Sequence, residues 1–107
     1  MFMPDVRKIV SELRKGLERL YGSKLVHLIL FGSHARGDAE PGSDIDVLVV
    51  LRGEVNSGEE INRTGGIISE LSLENDVVIS CIFMGEYRFL HRNGPLLRNV
   101  RKEGIAA

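Results

Sequence analysis

The sequence predicts an α/β (α+β) fold, in which helices pack on a three-stranded or slightly larger mixed sheet. Three short apolar segments, at residues 25–31, 45–51 and 76–83, are bounded by glycine or polar residues, a pattern typical of buried strands. The segments around them space their apolar residues as amphipathic helices do. The chain has 107 residues and is 43% hydrophobic, so we expect a single domain over residues 1–107.

The first half of the chain is predicted to form a helix, a strand and a loop. Pro4 and Asp5 suit the start of a helix, because proline fits the first turn and a carboxylate meets the positive end of the helix dipole. Gly22 is the expected end of this helix. The strand at residues 25–31 follows, and residues 32–42 form a loop with one helical turn. The apolar stripe of the helix consists of Val6, Ile9, Val10, Leu13, Leu17, Leu20 and Tyr21.

The second half is predicted to add two strands and three helices. The strand at residues 45–51 precedes a helix that begins at Ser57 and ends at Asn75. Ser57 is the expected cap, because Glu60 stands three positions later as in a capping box. The remaining elements are a strand at residues 76–83 and short helices at residues 86–92 and 95–103.

Two aspartates open the second strand, which is otherwise apolar. Asp44 and Asp46 are two residues apart, so their side chains project from the same face of a strand. Desolvated carboxylates are costly unless a cation meets them, and Mg²⁺ binds carboxylate oxygens together with substrate phosphates. We therefore expect a metal site that holds a triphosphate. A site with two metal ions needs a third carboxylate, for which Asp76 is the first candidate and Glu74 the reserve.

The residues after the first strand supply the expected phosphate-binding loop. Gly32 allows the backbone to approach a phosphate closely, because glycine has no side chain. If a helical turn begins at Ser33, its N–H groups and its hydroxyl face that phosphate. Arg36 is expected to add a positive charge for the triphosphate.

Several other functions are excluded by the sequence. Residues 32–37 have the glycine spacing of a P-loop, but Asp38 and Ala39 replace the required Lys and Ser or Thr. The sequence has no EF-hand order of acids, no Gly-x-Ser-x-Gly elbow and no zinc-ligand spacing. No apolar run approaches a membrane span, no signal-peptide pattern is present, and the single Cys81 cannot form an internal disulfide. We therefore expect a cytoplasmic protein.

The charges are unevenly distributed although the net charge is only −1. Residues 1–27 carry six basic and three acidic groups, and residues 86–107 carry five basic and two acidic ones. The segment between them has three basic groups against ten carboxylates. An acidic centre between basic ends fits a cation site flanked by a surface for phosphate or a partner. Ordinary solvated helix faces are the alternative explanation for the ends.

The loop and the aspartates together resemble a known signature. Gly32-Ser33, ten residues and then Asp44-Ile45-Asp46 are similar to the nucleotidyltransferase superfamily that includes DNA polymerase β. The fuller string FGSHARGDAEPGSDIDVLVV is closer to the minimal nucleotidyltransferases, or MNT proteins. The segment GPLLRNVRKEG at residues 94–104 also resembles the end of some members, so the likeness touches most of the chain.

This resemblance implies an enzyme that transfers AMP from ATP to a hydroxyl group and releases pyrophosphate. It implies Mg²⁺ as the cofactor, with two ions expected, a metal pair at Asp44 and Asp46, and a triphosphate loop at Gly32 and Ser33. It also implies a third acid on a later strand, for which Asp76 stays the candidate. Many MNT proteins are antitoxins that modify a tyrosine of a HEPN-domain RNase toxin. The expected function is therefore that of an antitoxin in a type VII-like toxin–antitoxin pair, with no membrane partner and no direct nucleic-acid binding.

Two other functions stay open from the sequence. One is an antitoxin that masks a HEPN RNase by binding alone, and the other is a small-molecule nucleotidyltransferase completed by a partner chain. A chain of 107 residues has little left to enclose an acceptor, so a partner or a homo-oligomer is expected to complete the site. The basic and aromatic segment at residues 85–104 is the predicted docking surface.

Overall fold

The computed structural model describes residues 3–107 and shows a four-stranded mixed sheet with helices on both faces. The helices are α1 (Val6–Tyr21), α2 (Ser33–Arg36), α3 (Ser57–Asn75), α4 (Glu86–His91) and α5 (Pro95–Glu103), with a 3-10 turn at Gly22–Lys24. The strands are β1 (Leu25–Phe31), β2 (Ile45–Leu51), β3 (Ile79–Gly85) and β4 (Ile105–Ala106). None of these helices, within residues 3–107, is long and apolar enough to cross a membrane.

The strands lie in the order β3-β2-β1-β4. β2 pairs antiparallel with β1 and parallel with β3, and β4 pairs antiparallel with β1. The chain therefore leaves β1 and enters β2 at the same edge of the sheet, so the loop between these two strands lies beside the first residues of β2.

Both faces of the central strand β2 are buried, which explains its almost continuous apolar sequence. One face packs under α1 and α3, and the core there includes Ile9, Leu13, Leu17, Leu28, Ile45, Val47, Val49 and Leu71. The opposite face packs under α5, and the core there consists of Phe31, Leu48, Val50, Met84, Leu97 and Val100. Asp46 alternates with Leu48 and Val50, so its side chain lies on the α5 face of the sheet.

The mixed α/β fold is confirmed, and the bounds of β1, β2 and α5 are those predicted. Asp5 lies at the start of α1 as expected, and it is the cap, because its side chain accepts a hydrogen bond from the Lys8 N–H at 3.2 Å. The strand β4 was missed, because two residues at a sheet edge carry no periodicity of their own. The α4 helix ends at His91, one residue before the predicted end.

Both predicted bounds of β3 and the predicted cap of α3 are wrong. The strand ends at Gly85 and not at residue 83. The strand β3 begins at Ile79 and not at residue 76, because Asp76 adopts the left-handed conformation, with φ of 51°, as the cap that ends α3. The cap of α3 is Asn56 and not Ser57, since the Asn56 side chain accepts from the Glu59 N–H at 3.1 Å.

Glu60 has a different role from the predicted capping box. Its side chain is only 3% exposed, and its carboxylate accepts a hydrogen bond from the Tyr21 hydroxyl at 2.6 Å. The Arg63 guanidinium lies 3.1 Å from the same carboxylate oxygen. Burial and the hydrogen bond to Glu60 raise the pKa of the Tyr21 hydroxyl, which therefore stays a donor. This contact joins the end of α1 to α3.

We expect Tyr21→Phe to lower the free energy of unfolding by about 1–2 kcal/mol, because Glu60 loses a donor in a buried position. Urea unfolding followed by circular dichroism measures the change. Tyr87→Phe is the matched control, since the Tyr87 side chain is 71% exposed and should cost almost nothing. Equal stability of the two variants would contradict a stabilising role for the Tyr21 hydroxyl.

Candidate active site

The two aspartates lie at the sheet edge where β1 ends and β2 begins. Asp46 pairs with Phe31 of β1 on one side and with Ser80 of β3 on the other. The Asp46 side chain is partly buried, and Asp44, just before the strand, is exposed. Because Asp44 precedes the strand, the common face of the two carboxylates rests on their spacing and on the influence of Asp44 on the pKa of Asp46.

Gly32 is the point at which the loop touches the carboxylate. Its φ of +77° is a conformation that favours glycine, and an added Cβ would clash with Oδ2 of Asp46 and lie 3.3 Å from its Cγ. The Asp46 carboxylate therefore packs directly against the backbone of the loop. A side chain at position 32 would displace either the loop or the aspartate.

The loop after Gly32 is closed by its own hydrogen bonds. The N–H groups of Ala35 and Arg36 donate to the Gly32 carbonyl at 3.1 and 3.0 Å, which makes the short helix α2. The His34 ring contacts the Ser43 carbonyl through Nε2 at 3.1 Å and so ties the start of the loop to its end. The first N–H groups of α2, at Ser33 and His34, have no acceptor inside the helix and suit a phosphate oxygen.

The electrostatics of the site favour a cation. Burial and, next, the neighbouring Asp44 carboxylate raise the pKa of Asp46, while His34 and Arg36 act in the opposite direction. Two carboxylates held on one face repel each other, and a divalent cation between them removes that repulsion. The chemistry of the donor set, two carboxylates beside a backbone loop, fits Mg²⁺ bound together with a polyphosphate.

The third predicted carboxylate is not brought to this pair. Asp76 is exposed in the turn after α3, and Glu74 lines a groove between α1 and α3. Within residues 3–107, no group of three His, Cys, Asp or Glu side chains is arranged to hold a metal ion. The residue across from Asp46 on β3 is Ser80, which the sequence analysis did not consider. Its place follows from the register of the parallel β2–β3 pair.

Arg36 is present at the site but is already engaged with two carboxylates. Its Nε lies 3.1 Å from Asp38, and its Nη1 lies 2.8 Å from Glu103 at the end of α5. Glu103 is not recognisable from the sequence, because it is 67 residues from Arg36 and only the tertiary fold brings the two together.

A model of the nucleotidyltransferase domain family matches residues 10–106. The chain belongs to this family. The resemblance drawn from the loop and the aspartates is thus confirmed, as is the prediction of a nucleotidyltransferase.

Two proteins of Methanocaldococcus jannaschii are similar to this nucleotidyltransferase domain. The protein named Putative protein adenylyltransferase MJ0604 is 37% identical over 91% of this chain and 92% of its own. The protein named Putative protein adenylyltransferase MJ0141 is 37% identical over 73% of this chain and 78% of its own.

A crystal structure of a toxin–antitoxin with AMP-PNP contains a chain of the same fold. It superimposes with a TM-score of 0.63 and 21% identity, covering 90% of this chain and 69% of that one. At this level of identity the match shows that the nucleotidyltransferase fold is shared.

We expect Gly32→Ala to weaken binding of Mg²⁺–ATP by more than about tenfold, because the added methyl group displaces the Asp46 carboxylate. Isothermal titration calorimetry gives the affinity. Gly37→Ala is the matched control: its φ of +85° makes alanine equally strained, but nothing lies within 4 Å of the added Cβ. If both variants lose the same affinity, backbone strain and not the contact with Asp46 is the cause.

We expect Asp46→Asn to raise the melting temperature in EDTA at about pH 8, because the native protein then no longer holds a desolvated charge beside Asp44. A raised pKa in the folded state destabilises it above that pKa. The gain should therefore shrink as the pH falls through the titration of Asp46. Differential scanning fluorimetry over a pH series measures it, with Asp44→Asn, at an exposed position, expected to give a smaller gain. A lower melting temperature for Asp46→Asn at every pH would contradict the interpretation.

Proposed function

We propose that this chain transfers AMP from ATP to a hydroxyl group of a partner protein in a reaction that needs Mg²⁺. The observation that carries the proposal is the contact between the Asp46 carboxylate and the Gly32 backbone, which joins a cation site to a phosphate-binding loop. Family membership supports nucleotidyl transfer, and the names of the two archaeal relatives support a protein as the acceptor.

In this proposal Asp44 and Asp46 hold Mg²⁺, which supplies charge neutralisation for the triphosphate and the leaving pyrophosphate. Gly32 and the N–H groups of Ser33 and His34 hold the terminal phosphates, and Arg36 adds a charged donor. The acceptor oxygen attacks the α-phosphorus, the bond to the pyrophosphate oxygen breaks, and the hydroxyl proton passes to a base. The rigid loop orients the α-phosphate in line with the acceptor oxygen.

Asp76 remains our proposed third acid, as a ligand of a second ion or as the base, although within residues 3–107 its carboxylate is not grouped with Asp44 and Asp46. The arrangement supports one ion at Asp44 and Asp46 more directly than two. Glu74 is a weaker candidate, because it lies in the groove between α1 and α3.

For the acceptor we propose a tyrosine of a HEPN toxin, which would make the chain the antitoxin of a toxin–antitoxin pair in the cytoplasm. The fold shared with a chain of a toxin–antitoxin crystal structure supports this partner. The α4 helix exposes Tyr87 and Leu90 beside the basic side chains of Arg88 and Arg92. Such a surface suits a partner with acidic groups around an apolar centre.

The second candidate function is masking of the toxin by binding alone. It is favoured by one observation, the absence of a third carboxylate beside the pair within residues 3–107. In that case the contacts of the antitoxin surface would silence the toxin, and the nucleotide site would not be needed.

The test uses the full chain and the protein encoded by the neighbouring gene, incubated with ATP and Mg²⁺. Intact-mass spectrometry should show one added AMP, and peptide mapping should place it on a tyrosine. EDTA or Asp44→Asn/Asp46→Asn should abolish the addition, because the metal is lost. Glu54→Gln is the control variant, since this exposed residue lies beyond the far end of β2 and should modify the partner at the normal rate.

Two results would reject the proposal. One is AMP transfer that persists in the double variant. The other is no transfer by the natural chain, together with full silencing of the toxin by both the natural chain and the double variant, which supports masking.

A further inference from the structure

The ion pair between Arg36 and Glu103 joins the phosphate loop to the C-terminal helix. Nη1 of Arg36 lies 2.8 Å from Oε2 of Glu103, whose side chain is only 13% exposed against 47% for Arg36. The carboxylate is thus the more buried member of the pair, and the guanidinium reaches it from α2 to the end of α5.

The backbone around Glu103 is held firmly against the strand that precedes the loop. Gly104, the next residue, leaves no room for a side chain, because an added Cβ would clash with the Val100 carbonyl and lie 2.7 Å from a methyl carbon of Ile29. β4 then pairs with β1 through Ile29 and Leu30. The Ala107 N–H donates to the Leu28 carbonyl at 2.9 Å. Glu103 therefore has a defined position relative to the end of β1, where the loop begins.

The guanidinium that Glu103 holds lies close to the aspartate pair. Arg36 and Glu103 are both among the charges that influence Asp46, with opposite signs. Arginine has five N–H donors, and the contacts with Asp38 and Glu103 use Nε and one hydrogen of Nη1. The Nη2 group and the second hydrogen of Nη1 are left for an anion.

We propose that Glu103 is a positioning residue, which orients Arg36 so that its remaining donors bind the triphosphate at Gly32 and Ser33. This inference rests on the proposed nucleotide site. A purely stabilising role is less consistent with the structure, because α5 is already fixed by β4 and half-exposed ion pairs add little to stability.

The ion pair with Glu103 also weakens the attraction of Arg36 for a phosphate. A carboxylate on Arg36 reduces the positive potential felt by a phosphate, so removing Glu103 would strengthen nucleotide binding if charge alone mattered. Orientation should prevail, because a free arginine side chain loses much rotamer entropy on binding and its two-point geometry requires a fixed plane. The sign of the change in affinity therefore decides between the two effects.

The experiment is a double-mutant cycle on the affinity for Mg²⁺–ATP, measured by calorimetry with Glu103→Gln, Arg36→Ala and the double variant. Glu103→Gln keeps the size of the side chain and removes its charge. It should weaken binding by about fivefold and leave the melting temperature nearly unchanged. In the Arg36→Ala background the same substitution should have no further effect, because Glu103 acts through Arg36. Glu70→Gln, an exposed glutamate on α3, is the matched control and should bind normally.

The inference is overturned if Glu103→Gln binds the nucleotide as tightly as the natural chain or more tightly, or if it weakens binding equally without Arg36. Asp44→Asn/Asp46→Asn separates this failure from failure of the nucleotide site itself. If that double variant loses Mg²⁺–ATP while Glu103→Gln binds it normally, only the positioning role is rejected. If the double variant still binds Mg²⁺–ATP, the proposed site is rejected as a whole.

Discussion

The contact between the Asp46 carboxylate and the backbone of Gly32 is the constraint on which the rest of the site depends. It requires an antiparallel β1–β2 pair, so that one strand ends where the other begins. It also requires glycine, because the position combines a positive φ with no room for a Cβ. The apolar cores on both faces of β2 hold this edge in place, and the loop adds the hydrogen bond from His34 to Ser43. A partly buried carboxylate is costly unless a cation meets it, and the elements around Asp46 keep it in this position.

Much of this arrangement follows from local sequence signals. β1 and β2 are apolar runs that glycine and charged residues delimit, and the spacing of Asp44 and Asp46 fixes their common face. The end of α3 was also predictable, but not that Asp76 would become its left-handed cap. That conformation delays the start of β3 by three residues. The cap of α3 and the start of β3 compete for the same residues, and the periodicity of apolar residues does not show which of them forms.

The residues that sequence analysis missed were all found through long-range pairing. Ser80 is defined by the parallel register with β2, and Glu103 by a helix that packs across β1. Neither residue type is unusual where it stands in the sequence. Glu60 shows the opposite kind of error. Its spacing from Ser57 predicts a capping box, but its carboxylate forms a buried hydrogen bond with Tyr21. Local motifs therefore predict which residues could act, and the sheet topology decides which of them meet.

The separation of 67 residues between Arg36 and Glu103 also has a consequence during synthesis on the ribosome. The loop, β1, β2 and both aspartates emerge well before α5 and β4. Because the core under α5 helps to hold the edge at Asp46, this edge is complete only when the last helix has packed on the sheet. The proposed nucleotide site and the contact of Arg36 with Glu103 are then completed together, at the moment when the last strand docks on β1.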